Sequence, residues 1–200
     1  MAFFKIVLLS SFVAFMAGLE TAETSYYIDA GSSLSIAGSS NVNKFTCNCS
    51  EQFSKGSIRF ELQDGGKTLR FSHAGLHLRS KSLDCGNPQM NKDMYKTLRA
   101  DQHPGIRIEL TRAQLQEAEL ATGKDWSPLK ASSQLTIAGV TQSVVFDVKA
   151  KRIAPDRIRL TTSKEVLMTD FGMEPPTAML GLVKVNNTIR INMDLIVVVV

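Results

Sequence analysis

Residues 83–110 read LDCGNPQMNKDMYKTLRADQHPGIRIEL, and they hold the one convincing helix in a chain that otherwise alternates. Asn87 suits the N-cap, because its side-chain oxygen can accept from amides that the first helical turn leaves open. Pro88 suits the position behind it, where a helix needs no amide. Met90, Met94 and Leu98 recur every fourth residue and make one apolar stripe, while Lys92, Lys96 and Arg99 fall on the other face or in the last turn. A helix of about a dozen residues is marginal alone in water, so this stripe must pack on an apolar surface made elsewhere. His103-Pro104-Gly105 ends it, since proline disfavours a helical residue before it and lacks the amide that a helix would use. Ile106, Ile108 and Leu110 then alternate with Arg107 and Glu109, the period-two pattern of a strand with one buried face. The stretch predicts one short helix set between strands of an antiparallel sheet.

Outward from this stretch the alternation continues. Upstream, Tyr26-Tyr27-Ile28, Leu34-Ser35-Ile36 and the Val42, Phe45, Cys47 run read as extended segments around the Gly31-Ser32-Ser33 turn. Ile58, Phe60 and Leu62 alternate with Arg59 and Glu61, Asp64-Gly65-Gly66 is a hairpin signal, and Leu69, Phe71, Leu76 and Leu78 continue around a bulge expected at Ala74-Gly75. Downstream, Leu115 to Trp126 reads as an irregular polar loop. Leu135 and Ile137 face Val144, Phe146 and Val148 across a Gly139-Val140-Thr141-Gln142 hairpin, and Ile158 and Leu160 follow a Pro155-Asp156 turn. Val183 and Val185 then turn at Asn186-Asn187 into Ile189, Ile191, Met193 and Leu195. Some eight to ten strands at this spacing, with no helix-strand alternation, make an all-β antiparallel barrel or sandwich. A membrane-spanning barrel is excluded, because the outward positions carry Arg, Glu, Lys, Asp and Thr, and aromatic residues are 7% of the chain.

Two hundred residues favour one domain. The apolar run from Ile6 to Ala17, behind Lys5, is too short to span a bilayer and suits the core of a secretory signal. Residues 1–22 are therefore expected to be a signal peptide, cleaved somewhere from position 18 to 24, with residues 23–200 as the exported domain, periplasmic or secreted. Losing residues 1–22 removes one cation, Lys5, and one anion, Glu20, so the net charge stays at +4. That excess is scattered, which argues against nucleic-acid binding, and the mature chain shows no membrane span. Three cysteines in an exported chain suggest one disulfide and one thiol. Cys47 and Cys49 share a face of one extended run, so pairing them together would be strained. The bridge is expected from Cys85 to Cys47, with Cys49 to Cys85 as the alternative.

No residue reads as catalytic. His73 and His77 would stand about 13 Å apart on a regular strand, too far to share a metal. His103 belongs to a turn, and Asp170 and Glu174 flank the Phe171-Gly172-Met173 turn without a base, nucleophile or metal ligand in sequence reach. Neither a Ser-His-Asp signature, a phosphate-binding glycine loop nor an HExxH motif is present. No metal, cofactor or enzymatic activity is expected.

The order Tyr27-Ile28-Asp29, Asn41-Val42-Asn43-Lys44-Phe45, Met90-Asn91-Lys92-Asp93-Met94 and His103-Pro104-Gly105-Ile106 resembles the YceI family of exported proteins. Leu135-Thr136-Ile137 before Gly139-Val140-Thr141, and Thr169-Asp170-Phe171-Gly172-Met173 near the last strands, extend that resemblance from about Tyr26 to Leu195. It departs where the family often carries a His, matched here by Asn within Ser40 to Phe45, and an Arg-Asp pair before the helix, matched here by Asn87-Pro88. The resemblance implies a lipocalin-like antiparallel β-barrel of about eight strands with one short α-helix, holding a polyisoprenoid or isoprenoid quinone in its apolar interior. Phe45, Phe60, Phe71, Leu78, Ile108, Ile137, Phe146, Met168, Phe171, Ile189 and Ile191 are then the candidate lining, with Met90, Met94 and Leu98 as a wall or lid. The rival expectation is a filled barrel serving as an interaction or stress-related module without bound lipid, since the same inward residues would fill a solid core.

Overall fold

The plainest element is the strand Val140–Ala154, in which Val144, Phe146, Val148 and Ala150 are buried while Ser143, Val145, Asp147 and Lys149 are exposed. Its inward side chains are apolar or small and its outward ones mostly polar, so burial alone fixes which face turns to the core. The computed structural model describes residues 21–53, 55–116, 120 and 125–200. In chain order the strands are β1 (Thr21–Ile28), β2 (Ser33–Ser39), β3 (Lys44–Cys49), β4 (Gly56–Gln63), β5 (Thr68–Arg79) and β6 (Leu83–Asp84). The helix α1 (Pro88–Thr97) follows, then β7 (Gly105–Leu115), β8 (Ser127–Ile137), β9 (Val140–Ala154) and β10 (Arg157–Leu167). The chain closes with β11 (Thr177–Ala178), β12 (Val183–Lys184) and β13 (Thr188–Val199).

Several of these are pieces of longer staves. β13 pairs antiparallel with β2 through Arg190 to Asp194 and with β1 through Val197 to Val199, so β1 and β2 run along it as one strand broken at residues 29–32. β3 and β4 flank that broken strand in a register that slips by one residue, and β5 and β6 flank β3 and β4 in the same way. With β7, β8, β9, β10 and β13, these three composite staves make a closed eight-strand antiparallel barrel, sealed by the β1–β13 pairing. The fold is the lipocalin-like barrel with one short helix expected above. Closure leaves no long strand of the wall without a partner on each side among the described residues; only the two-residue β6 has a partner on one side alone.

Local chemistry explains the turns. Asp64-Gly65-Gly66 forms the β4–β5 hairpin, and Ala138 and Gly139, at φ 50° and 82°, make the tight β8–β9 turn. The register of β5 against β7 shifts between Arg70 and Ala74, at the expected bend. The Val183 and Val185 segment differs from the expected hairpin into the last strand. β12 pairs with β11, and Ser40 bridges Val185, so this segment zips to the β2–β3 hairpin instead. Two alternating valines carry too little pattern to name their partner. β7 continues through Leu115, and most of the expected loop, residues 117–119 and 121–124, lies outside the described residues. So do residues 1–20 of the expected signal segment, while Thr21 and Ala22 already pair with Glu61 and Phe60.

Leu135, Ile137, Phe146 and Phe171 are almost wholly enclosed and join Leu78, Ile108, Val166, Ile189 and Ile191 in one core cluster. The helix, the β2–β3 hairpin, the β8–β9 turn and the segment between β10 and β13 share one end of the barrel.

Candidate functional site

The helix is anchored before it is packed. Asn87 Oδ1 accepts from the Gln89 amide at 2.9 Å and the Met90 amide at 3.1 Å, closing the first turn. Cys85 is disulfide-bonded to Cys47 in β3, which fixes the helix entrance to the barrel wall; Cys49 is free and half-buried. Asn91 works from the first turn in both directions: its Oδ1 accepts from the Cys85 amide at 2.7 Å and its Nδ2 donates to Asp84 Oδ1 at 2.7 Å. The Asn91 side-chain amide, and after it the Gly86 N–H, hold the Asp84 carboxyl below its ordinary pKa. Tyr95 donates to the Leu83 carbonyl at 2.8 Å, and Arg99 Nη2 donates to the Gly172 carbonyl at 2.7 Å, so both ends of the helix are tied down.

Beneath this helix lies a cavity of about 380 Å³. Met90, Met94 and Leu98 form its helical wall, Ile36, Phe45 and the Cys47–Cys85 bridge a second, and Met168, Met173, Pro176, Ala178, Val183, Val185 and Ile189 a third. Polar groups also line it: Ser40, Asn43, Asn87, Gln89, Asp93, Thr97 and Thr177. Of these, Ser40 Oγ donates to Asn43 Oδ1 at 2.8 Å, and Gln89 Nε2 donates to Asp93 Oδ1 at 3.1 Å.

Of the residues expected to line a ligand space, Phe45, Met90, Met94, Leu98, Met168 and Ile189 meet at this cavity. Leu78, Ile108, Ile137, Phe146, Phe171 and Ile191 lie in the packed core, away from it. Phe60 and Phe71 face each other across β4 and β5 with ring centroids 6.2 Å apart, half-buried and outside the cavity. Alternation reports which side chains point inward but not how far along the barrel axis they sit, so it could not separate wall from filling. Ile36 was legible in the β2 alternation and Met173 in the TDFGM run, whereas the β11 residues carry no sequence signal and the Val183, Val185 alternation did not show that β12 would meet the cavity.

The chemistry on offer is burial plus orientation. Cavity walls of aliphatic carbon and sulfur hold an apolar body, and the Asn, Gln, Ser and Asp side chains can meet a polar end. Among the described residues no three His, Cys, Asp or Glu side chains converge as a metal site. His103 packs its ring against Gly139, and His77 Nε2 stands 4.0 Å from Glu109 Oε1 on the exposed face.

The family model described as YceI-like domain matches residues 26–197. The chain belongs to the YceI-like family. Solved structures share this YceI-like fold at low identity. One is a polyisoprenoid-binding domain from Saccharophagus degradans implicated in plant cell wall breakdown, with TM-score 0.63 and 16% identity, covering 88% of this chain and 98% of that one. BcnA of Burkholderia cenocepacia gives TM-score 0.62 at 15% identity, covering 84% and 98%. The YCEI protein of Campylobacter jejuni gives 0.52 at 13%, covering 98% and 97%. No curated protein matches the sequence. At these identities the likeness establishes the fold, and no helix among the described residues is long and apolar enough to cross a membrane.

Proposed function

We propose that this YceI-like chain is a non-enzymatic carrier that encloses the tail of a polyisoprenoid or isoprenoid quinone in the cavity beneath α1. The observation that carries the reading is the cavity itself: about 380 Å³, within the range of small-molecule sites, and walled by methionine, isoleucine, valine and phenylalanine. At about 0.8 kcal/mol per buried CH₂, ten such groups contribute roughly 8 kcal/mol before association costs are subtracted. The polar side chains among the lining residues receive the head group. The Saccharophagus degradans neighbour is a polyisoprenoid-binding domain, which supports the same ligand class for this chain. An exported setting belongs to this reading, supported by the apolar run from Ile6 to Ala17 and by the Cys47–Cys85 bridge, which persists in an oxidising compartment.

The filled-barrel alternative draws on the packed middle of the barrel, and one experiment separates the two. Solvent extraction and mass spectrometry of the purified protein should release a prenyl lipid, and lipid-stripped protein should take up added quinone. The Met94→Asp variant should lose that uptake, because a carboxylate in the helical wall is desolvated by any apolar occupant, at a cost of about 2 kcal/mol or more. Lys92→Asp, on the exposed face, should keep it. Protein that yields no lipid and exchanges none leaves the filled barrel as the better account.

A further inference from the structure

The β2–β3 hairpin and the β11–β12 hairpin meet beside the cavity. Asn41 fastens them: its amide donates to the Lys184 carbonyl at 3.0 Å, its Nδ2 donates to the Leu182 carbonyl at 2.9 Å, and its Oδ1 accepts from the Lys184 amide at 2.8 Å. Both hairpins supply cavity wall, through Ser40 and Asn43 at the corners of the first turn and Thr177 and Val183 on the strands of the second. Their tips do the opposite of what water favours. Val42 is 65% exposed, Leu182 74%, and Leu180 fully so, and Leu180 sits at φ 56°, a left-handed conformation costly for a branched side chain. Beside these tips, the Lys44 and Lys184 side chains stand exposed with no side-chain partner among the described residues. The carboxylate nearest in sequence to the second hairpin is Glu174, exposed just ahead of Thr177.

We propose that this lip docks the protein on an anionic lipid bilayer, with Val42, Leu180 and Leu182 entering the headgroup boundary and Lys44 and Lys184 meeting phosphate. Three side chains on two hairpin tips are too small a patch for a stable protein interface, which needs about 800 Å² from each partner. They suffice for reversible adsorption to a membrane, where aliphatic insertion and cationic attraction act together. The lip adjoins the cavity, so a prenyl tail leaving the bilayer passes from one apolar environment to the next. In that last step the inference rests on the carrier reading; the docking itself does not.

Flotation of the purified protein with vesicles of phosphatidylcholine containing about a quarter phosphatidylglycerol tests it. Wild type should float, and less protein should float with phosphatidylcholine alone. Leu180→Gly removes the side chain while relieving the left-handed backbone, so it cannot fail by unfolding that turn. Combined with Leu182→Asp it should lower vesicle association about ten-fold or more, with melting temperature unchanged. Lys44→Glu with Lys184→Glu should abolish the preference for phosphatidylglycerol. Wild type that stays with the dense fraction, or variants that float as well as wild type, overturn the proposal. A concentration-dependent dimer that the leucine variants dissolve, without flotation, overturns it in favour of a second copy. Lipid extracted from the same samples is read separately: protein that floats but holds no prenyl lipid retains the docking surface and loses the carrier reading.

Discussion

Gly38 shows how one missing side chain shapes the cavity. It pairs with Phe45 across β2 and β3, and a Cβ on it would stand 2.5 Å from Phe45 Cζ and 2.9 Å from Cε2. The ring lies over the glycine because nothing is there to lift it, and the same ring is cavity wall. Gly38→Ala is expected to push Phe45 off its seat, costing about 1–3 kcal/mol in overpacking and reducing uptake of a prenyl ligand. Thermal unfolding and quinone titration of Gly38→Ala, Phe45→Leu and the double variant form a cycle. The double variant should regain most of both losses; purely additive effects would show that the two residues do not press on each other. Gly139 is held by a different constraint, φ 82° together with the His103 ring 2.5 Å from where a Cβ would be, so its role is the tight turn and not the cavity.

At the scale of elements, α1 depends on its ties more than on its own length. The stripe of Met90, Met94 and Leu98 covers the cavity, yet within Pro88–Thr97 no residue is fully buried, so packing alone gives this helix a weak hold. The Cys47–Cys85 bridge closes a sequence separation of 38 residues, a constraint worth about 4 kcal/mol in the chain-entropy model. Replacing both cysteines with serine should lower the urea midpoint accordingly and loosen the helix entrance, seen as faster amide exchange at Asn91 and Met94. Cys49→Ser, at a half-buried thiol outside the bridge, should cost about 1 kcal/mol, well short of the double variant. Equal effects from Cys49→Ser and from the double variant would remove the bridge from this role. The helix was legible because Asn87, Pro88 and the four-residue stripe agree on one start and one face, and the long strands because period two persists over many residues. The broken staves were not, since the breaks at residues 29–32, 50–55 and 80–82 make β1 and β2, β3 and β4, or β5 and β6 look independent. β11 and β12, two residues each, are placed by Asn41 and by pairing with each other, contacts that no local pattern encodes.

Across the whole molecule, the barrel closes through a short seam: Tyr26, Tyr27 and Ile28 against Val199, Val198 and Val197. Two ion pairs reinforce the wall there. Arg157, on β10, reaches past β13 to Asp29 at the β1–β2 break, with Nη1 to Oδ2 at 2.8 Å. Arg159 clasps Asp194 of β13 through Nε at 2.8 Å and Nη2 at 2.6 Å. The Gly31 N–H first, and Arg157 after it, hold the Asp29 carboxyl below the usual aspartate range, and the Arg159 hydrogen bonds do the same for Asp194. With both folded-state values depressed, the unfolded chain binds more protons through the window just below an ordinary aspartate pKa of about 3.9. The stabilisation is complete above that value and is lost as pH falls through the lower folded-state values. All four side chains are partly exposed, so each pair is screened and its share is modest. Urea unfolding at a series of pH values from about 7 to 2 should show wild type losing stability steadily below about pH 4. The Asp29→Asn, Asp194→Asn double variant should start lower at neutral pH, fall less steeply, and meet wild type at the acid end. Parallel curves for the two proteins would place the acid sensitivity elsewhere, in carboxylates such as Glu51 and Asp147 that are also held below their ordinary values.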